Sequence, residues 1–364
     1  MFHYLYLNFL DSIPLLNLFQ YITLRSILAG ILSFLFVVLF GKKFINFLTK
    51  KNSVENINKY LNDNHKKKTG TPNMGGFLIG VSILISTLLF SDLSNPKIQI
   101  LIWTYILFAI TGFIDDFTKL RKGTGLKIQL KFFIQIILTF LISFLIIDQS
   151  QTFIYQEETK NINNIILPFT KNIFDLGAIY FVLMMFIILG SANSVNFTDG
   201  LDGLATGSLI ISFSAITIFT YIAGNSVYSS YLYLPFISNV GEIVVFISAL
   251  IGSLLGFLWY NSNPAQIFMG DTGSIPMGAT LGLVAILIKQ EFLLLIIGGI
   301  FVIEALSVIT QIFSFRIFNK RIFLIAPIHH HFEKLGIKES KIVIRFWIIG
   351  IIFSLIAIAT LKIR

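Results

Sequence analysis

Residues Asn193–Gly203 read NSVNFTDGLDG and lie between two apolar runs, Ala178–Gly190 and Leu204–Ile222. That arrangement reads as two membrane helices joined by a polar turn. Asn196, Asp199 and Asp202 are spaced by three, and positions i and i+3 share a helix face, so the three could point one way. Each aspartate is followed by glycine, which lets a helix unwind and backbone approach a ligand. Turns favour Asn, Asp and Gly on their own account. A carboxamide and two carboxylates at the mouth of a membrane segment are nevertheless costly unless something binds there.

Composition extends that reading to the whole chain. Of 364 residues, 55% are hydrophobic and 12% charged, with a mean hydropathy of +0.83. A soluble domain carries roughly 25% charged residues. The expectation is an all-α polytopic membrane protein, one integral domain over residues 1–364. Without cysteine it has neither disulfides nor thiolate metal sites. Residues 1–18 lack the basic start and small-residue cleavage site of a signal peptide. The formal charge of +9 belongs with basic loops meeting anionic lipid, so no nucleic-acid partner is expected.

Ten apolar runs approach the roughly 20 residues a span requires: 23–40, 75–90, 98–114, 130–147, 176–194, 204–222, 243–260, 273–288, 292–315 and 342–361. Alternating them groups the loops 41–74, 115–131, 193–203, 261–272 and 315–345 on one side. These loops hold 20 of the 27 Lys and Arg, eight in the first, five in the second and seven in the last. The positive-inside rule places them in the cytoplasm and both termini outside. Asp115, Asp116, Asp199, Asp202 and Asp271 all fall on that same side. An aspartate at mid-bilayer costs roughly 2.5–3.5 kcal/mol, so five must lie at the water boundary or share a cation. An acidic cleft ringed by lysines suits Mg²⁺ and a phosphorylated substrate.

Asp115 and Asp116 end the third run, with Lys119 three residues on. Adjacent helical residues diverge by about 100°, so both should not bind one ion from a rigid face. One would act as base or ligand while the other orients a lysine or a second ligand. In Phe268–Thr272 (FMGDT) a carboxylate precedes a membrane run, where it could cap the helix, and Phe268 offers a flat face for a base. His329, His330 and His331 follow Pro327 in a basic loop. Adjacent histidines without cysteine make a poor structural zinc site, but imidazoles beside phosphate can donate hydrogen bonds or carry charge. Glu304 and Gln311 lie seven apart in the ninth run, on a similar face turned into the bundle.

Five motifs in this order, HKKKTGTPNMGG, FIDDFTKL, NSVNFTDGLDGLA, FLWYNSNPAQIFMGDTGS and APIHHHFEKLG, make the chain resemble the phospho-N-acetylmuramoyl-pentapeptide-transferases. These belong to the polyprenyl-phosphate N-acetylhexosamine-1-phosphate transferase superfamily. The resemblance covers nearly the whole length, and the histidine motif points to the muramoyl-pentapeptide branch. It implies transfer of phospho-MurNAc-pentapeptide from UDP-MurNAc-pentapeptide to undecaprenyl phosphate, giving lipid I and UMP. It further implies Mg²⁺ and a site at the inner face of a bacterial cytoplasmic membrane; it is compatible with a homodimer.

The resemblance also implies residue roles. Asp271 would ligate the metal, with Asp115 and Asp116 in the same catalytic centre. Lys68, Gly200, Leu201, Asp202 and Phe268 would surround the uridine, with Phe268 stacked on uracil. Asn196, Asp199 and Gly270 would line the adjoining pocket. Lys119, Lys131, Asn261, Gln311, Ala326, His329 and His330 match further cleft positions, His329 among the catalytic ones. Asn73 stands where the family commonly has threonine, which alters a substrate contact. Direct attack by the lipid phosphate is favoured over a covalent phospho-sugar enzyme. Two competing readings are a UDP-GlcNAc transferase of the same superfamily and a cation-coupled transporter. A transporter should carry mid-span acids and interrupted helices in related halves, whereas here the acids cluster at one face.

Overall fold

The computed structural model describes residues 1–9, 14–51, 70–149, 162–167 and 173–363. Along the chain run α1 (Phe2–Phe9), a 3-10 helix (Pro14–Gln20), α2 (Ile22–Lys50), α3 (Gly75–Phe90), α4 (Pro96–Lys122) and α5 (Ile128–Asp148). A small hairpin of β1 (Asn164–Ile166) and β2 (Ile173–Asp175) follows. Then come α6 (Ile179–Thr198), α7 (Leu204–Ala223), α8 (Ser226–Tyr231), α9 (Glu242–Asn261), α10 (Asp271–Leu287), α11 (Leu294–Ile297), α12 (Gly299–Phe318), α13 (Ile328–Lys334) and α14 (Glu339–Ile363). Eight of them, α2, α4, α5, α6, α7, α9, α12 and α14, are long and apolar enough to cross a membrane, and α3 and α10 are shorter apolar helices. The protein is an all-α polytopic membrane protein, as its hydropathy leads one to expect.

All 17 residues of α10 are buried, and α3, α4, α6 and α7 pack around it. Its 17 residues span about 26 Å at 1.5 Å each, short of a ~30 Å hydrocarbon core. Enclosure by other helices removes the need to match the lipid. Small residues set the closeness of that packing. A Cβ on Gly112 of α4 would lie 2.1 Å from the Asp271 carbonyl oxygen, and one on Gly278 of α10 would lie 2.3 Å from that of Ser191 in α6. Both chain ends lie away from the acidic motifs. The Met1 ammonium donates to the Leu88 carbonyl, and Lys362 reaches Tyr231.

That far end is fastened by buried polar contacts. Arg25 forms a two-pronged pair with Glu242, at 2.7 and 2.5 Å, and also donates to the Phe90 carbonyl. Lys97 donates to Ser238 O and Asn95 to Asn239 O. Lys289, just past α10, donates to the carbonyl of Ile162 and, at 2.9 Å, to the Tyr180 hydroxyl, which itself donates to Glu291 at 2.6 Å. Burial pushes the Lys289 ammonium down to about 8 and the Glu291 carboxyl up, because each loses water that favoured its charged form.

Several sequence expectations are corrected. The third run does not end at Asp115–Asp116, since α4 continues to Lys122 and is closed by Gly123 in the left-handed region, φ 71°. The ninth run is two helices, α11 and α12, meeting at Gly298–Gly299. The histidine motif is not loop but the helix α13. The polar segment before α6 includes the hairpin, in which Ile165 pairs with Phe174.

Candidate active site

The opening stretch divides in two. Asn193–Thr198 completes α6, and Asp199–Gly203 leaves the helix, with Gly203 at φ 78°. The unwinding expected from the glycines is there, and it breaks the i, i+3 register. Asn196 and Asp202 therefore meet different partners. Asn196 Nδ2 donates to Asp271 Oδ1 at 2.6 Å and to Ser274 Oγ at 2.9 Å. Asp202 Oδ2 accepts from Asn263 and from the Ala265 N–H, and the Asp202 N–H donates to Glu339. The shared face expected for these residues is not formed.

Asp271 opens α10 beside the last turns of α4, the first turn of α5 and the end of α6. Carboxylate oxygens of Asp115, Asp116 and Asp271, all buried, lie within 4.8 Å of one another. Adjacent Asp115 and Asp116 could therefore serve one ion, contrary to the expectation from a rigid helix face, because side-chain reach offsets the roughly 100° between their Cβ directions. Asp115 Oδ1 accepts the Leu126 N–H at 2.7 Å. Asp116 Oδ2 accepts both the N–H and the hydroxyl of Thr272, at 2.9 and 2.7 Å. Each carboxylate is held from a different side and turned toward Asp271.

Two lysines enter the group. Lys119 Nζ lies 2.8 Å from Asp271, 2.9 Å from Asp115 and 3.5 Å from Asp116. Lys131 Nζ lies 2.5 Å from Asp271 and 3.4 Å from Asp115. Three carboxylates and two ammonium groups leave one negative charge in excess. The oxygen donor set fits a hard divalent cation. Gly270, at φ 72°, has no room for a side chain, as its Cβ would sit 2.4 Å from Asn73 Oδ1 and 2.6 Å from Asp116 Oδ2. Asn73 is thus a neighbour of the carboxylates and accepts the Met74 N–H.

Among the described residues, the other expected ones lie outside the carboxylate group. Gln311 hydrogen-bonds the backbone of Ile322 and Phe323 and so holds its own loop. Asn261 is buried between Thr206 and the Ile267 carbonyl. Leu201 sits in an apolar cluster with Leu204, Ile300 and Ile342. Phe268 is half-buried, and its backbone bridges Pro72 and Gly75. Ala326 precedes α13. His329 and His330 face the 199–203 turn; a Cβ on Gly200 would lie 2.3 and 3.3 Å from their Nε2 atoms. Lys68 lies outside the described residues. Thr272 and Ser274 escaped the sequence reading, although both stand within the FMGDTGS motif.

Beside the site a groove of about 340 Å³ runs between α6 and α12, lined by Phe186, Gly190, Asn193, Phe197, Phe301 and Ile309 among others, with Glu291 at its far end. From Phe186 to Phe197 it covers roughly 16 Å of helix. Its outer rim is exposed, Phe186 at 71% and Ile309 at 59%.

A family model described as Glycosyl transferase family 4 matches residues 98–289. The chain is 44% identical to the phospho-N-acetylmuramoyl-pentapeptide-transferase of Oleidesulfovibrio alaskensis over the full length of both. It is 45% identical to those of Desulfotalea psychrophila and Rickettsia montanensis, over 96% of each chain.

Proposed function

The chain belongs to the phospho-N-acetylmuramoyl-pentapeptide-transferase family, and we propose that it performs that family's reaction at the three-aspartate site. Phospho-MurNAc-pentapeptide passes from UDP-MurNAc-pentapeptide to undecaprenyl phosphate, giving lipid I and UMP, a membrane step of peptidoglycan synthesis. The observation that carries this is the convergence of Asp115, Asp116 and Asp271 with Lys119 and Lys131 where the ends of four helices meet.

An oxygen of the lipid phosphate attacks the sugar-bearing phosphorus. One P–O bond forms and the P–O bond to UMP breaks. Mg²⁺ held by the three aspartates would offset the pyrophosphate charge and improve UMP as a leaving group. Asp115 or Asp116 takes any proton still on the attacking phosphate. Lys119 and Lys131 supply two charge-assisted donors for phosphate oxygens. Asn196 orients Asp271. Phe268 offers its ring to uracil, with Lys68, Asp199, Gly200, Leu201 and Asp202 around the uridine diphosphate. The α6–α12 groove takes the isoprenoid chain, since its lining is apolar and Phe197 at its upper end adjoins Asn196.

Release of UMP by the purified protein tests the reading. Turnover is expected with UDP-MurNAc-pentapeptide and none with UDP-GlcNAc; robust turnover of UDP-GlcNAc would move the chain to the sister branch. The membrane is the bacterial inner membrane, with the site facing the cytoplasm and both termini outside. In this cysteine-free chain, a single cysteine at position 335 should resist an impermeant label applied to intact cells, and one at position 228 should react.

A further inference from the structure

We propose that Glu304 is a positioning residue for His329, holding the imidazole so that Nε2 is presented to the 199–203 turn. This rests on the reading that places His329 in the reaction site. Both side chains are fully buried, and His329 Nδ1 lies 3.1 Å from Glu304 Oε2. Neither ring nitrogen and neither carboxylate oxygen has an aligned hydrogen-bond partner among the described residues. Two ionisable side chains facing each other at 3.1 Å in a fully buried position are expensive to bury, so the pair is a poor choice for mere packing.

The surroundings fix the pair in place. Glu304 is on α12 and His329 on α13. The Ile328 N–H donates to Ser307 Oγ, and that hydroxyl donates to the Glu304 carbonyl. The first turn of α13 is therefore tied to the turn of α12 that carries Glu304. On the other side of the ring, Nε2 fills the space where a Gly200 side chain would stand, 2.3 Å from its Cβ position. His330 repeats the pattern within its own helix, with Nδ1 2.7 Å from Glu333 and Nε2 toward the same glycine. His331 does the opposite, since its Nδ1 accepts the Leu324 N–H.

A carboxylate oxygen 3.1 Å from Nδ1 sets that edge of the ring against α12 and leaves Nε2 as the edge that faces Gly200. Nε2 is then the ring atom packed on Gly200, and the ring acts on the reaction by setting the 199–203 turn. Glu304 itself touches no substrate.

A double-mutant cycle reads this directly. Glu304→Gln is expected to lower kcat for UMP release by about 10- to 100-fold, with KM for UDP-MurNAc-pentapeptide within about twofold. The same substitution on a His329→Gln background should cause no further loss. Thermal melting of all four proteins in nanodiscs reports folding separately. Losses that multiply in the cycle, or a folded Glu304→Gln protein with wild-type kcat, would overturn the positioning role. A His329→Gln protein with wild-type kcat would instead remove the site reading beneath it. Should the amide variant not fold, Glu304→Asp runs the same cycle, its carboxylate drawn back by one methylene. A drop in kcat confined to the His329 background is expected, and an equal drop in both backgrounds, or none in either, rejects the proposal.

Discussion

The two ends of the bundle bury charge in opposite ways. At the far end the pairs are closed. Arg25 meets Glu242 through both guanidinium prongs, and Lys289 donates to the Tyr180 hydroxyl, which donates to Glu291. At the site end, three carboxylates share two lysines and retain one excess negative charge. A closed pair holds helices together and has no charge left to offer. An acidic surplus, held in place by Thr272, Leu126 and Asn196, is a group that could hold a cation. Burial does not separate the two ends, since both are buried; the balance of charge does.

The largest effect that would test this contrast lies at Asp271. Asp271 does not cap α10, whose N-cap is Gly270, so Asp271→Asn keeps the shape without loss of a cap and removes the charge a hard cation needs. Turnover should fall on the order of 10²- to 10³-fold or more, with the melting temperature near that of wild type. A folded Asp271→Asn enzyme with unchanged rate and Mg²⁺ dependence would erase the distinction. Arg25→Met should do the converse. It leaves Glu242 buried without its partner, at a cost of about 3–5 kcal/mol of stability, read by thermal melting in nanodiscs, while kcat per folded molecule stays near wild type.

Much of this contrast was legible in the sequence, and more so at the site than at the far end. The aspartates, the glycines beside them and the lysines announced themselves because charge in a chain that is 12% charged stands out against apolar runs. Arg25, Glu242 and Lys289 are charges of the same kind, yet they carry no motif, and the side chains they hydrogen-bond lie more than 100 residues away. The resemblance brought Asp115, Asp116 and Asp271 to one centre, while helix periodicity alone argued against it, because it fixes where Cβ points and not where a carboxylate two bonds further reaches. The break at Gly298 was hidden because apolar residues continue through it. Glu304 was visible as a polar residue in a span, but its partner, 25 residues on, sits on a helix that reads as a basic loop.

The smallest effect is a pH dependence at the far end. The folded-state value for Lys289, about 8, lies below an ordinary lysine's near 10.4. Between those two values the unfolded chain binds more protons than the folded one, so stability rises with pH through that window. Below about pH 8 the buried ammonium is a fixed cost. Lys289→Met should flatten the rise, measured as melting temperature against pH from about 7 to 10.5. An unchanged slope would show that Lys289 is not the group responsible.

The groove between α6 and α12 opens sideways, with Phe186 and Ile309 on its rim, whereas the loops that carry the site's motifs open at the end of the bundle. With the groove taking the acceptor's chain as proposed, one reactant would reach the site by diffusing in two dimensions and the other in three. For the first, volume molarity is not the relevant variable. Its supply follows its mole fraction among neighbouring lipids, so diluting the acceptor with inert lipid at constant bulk concentration slows the enzyme, whereas diluting the whole suspension does not starve it of acceptor.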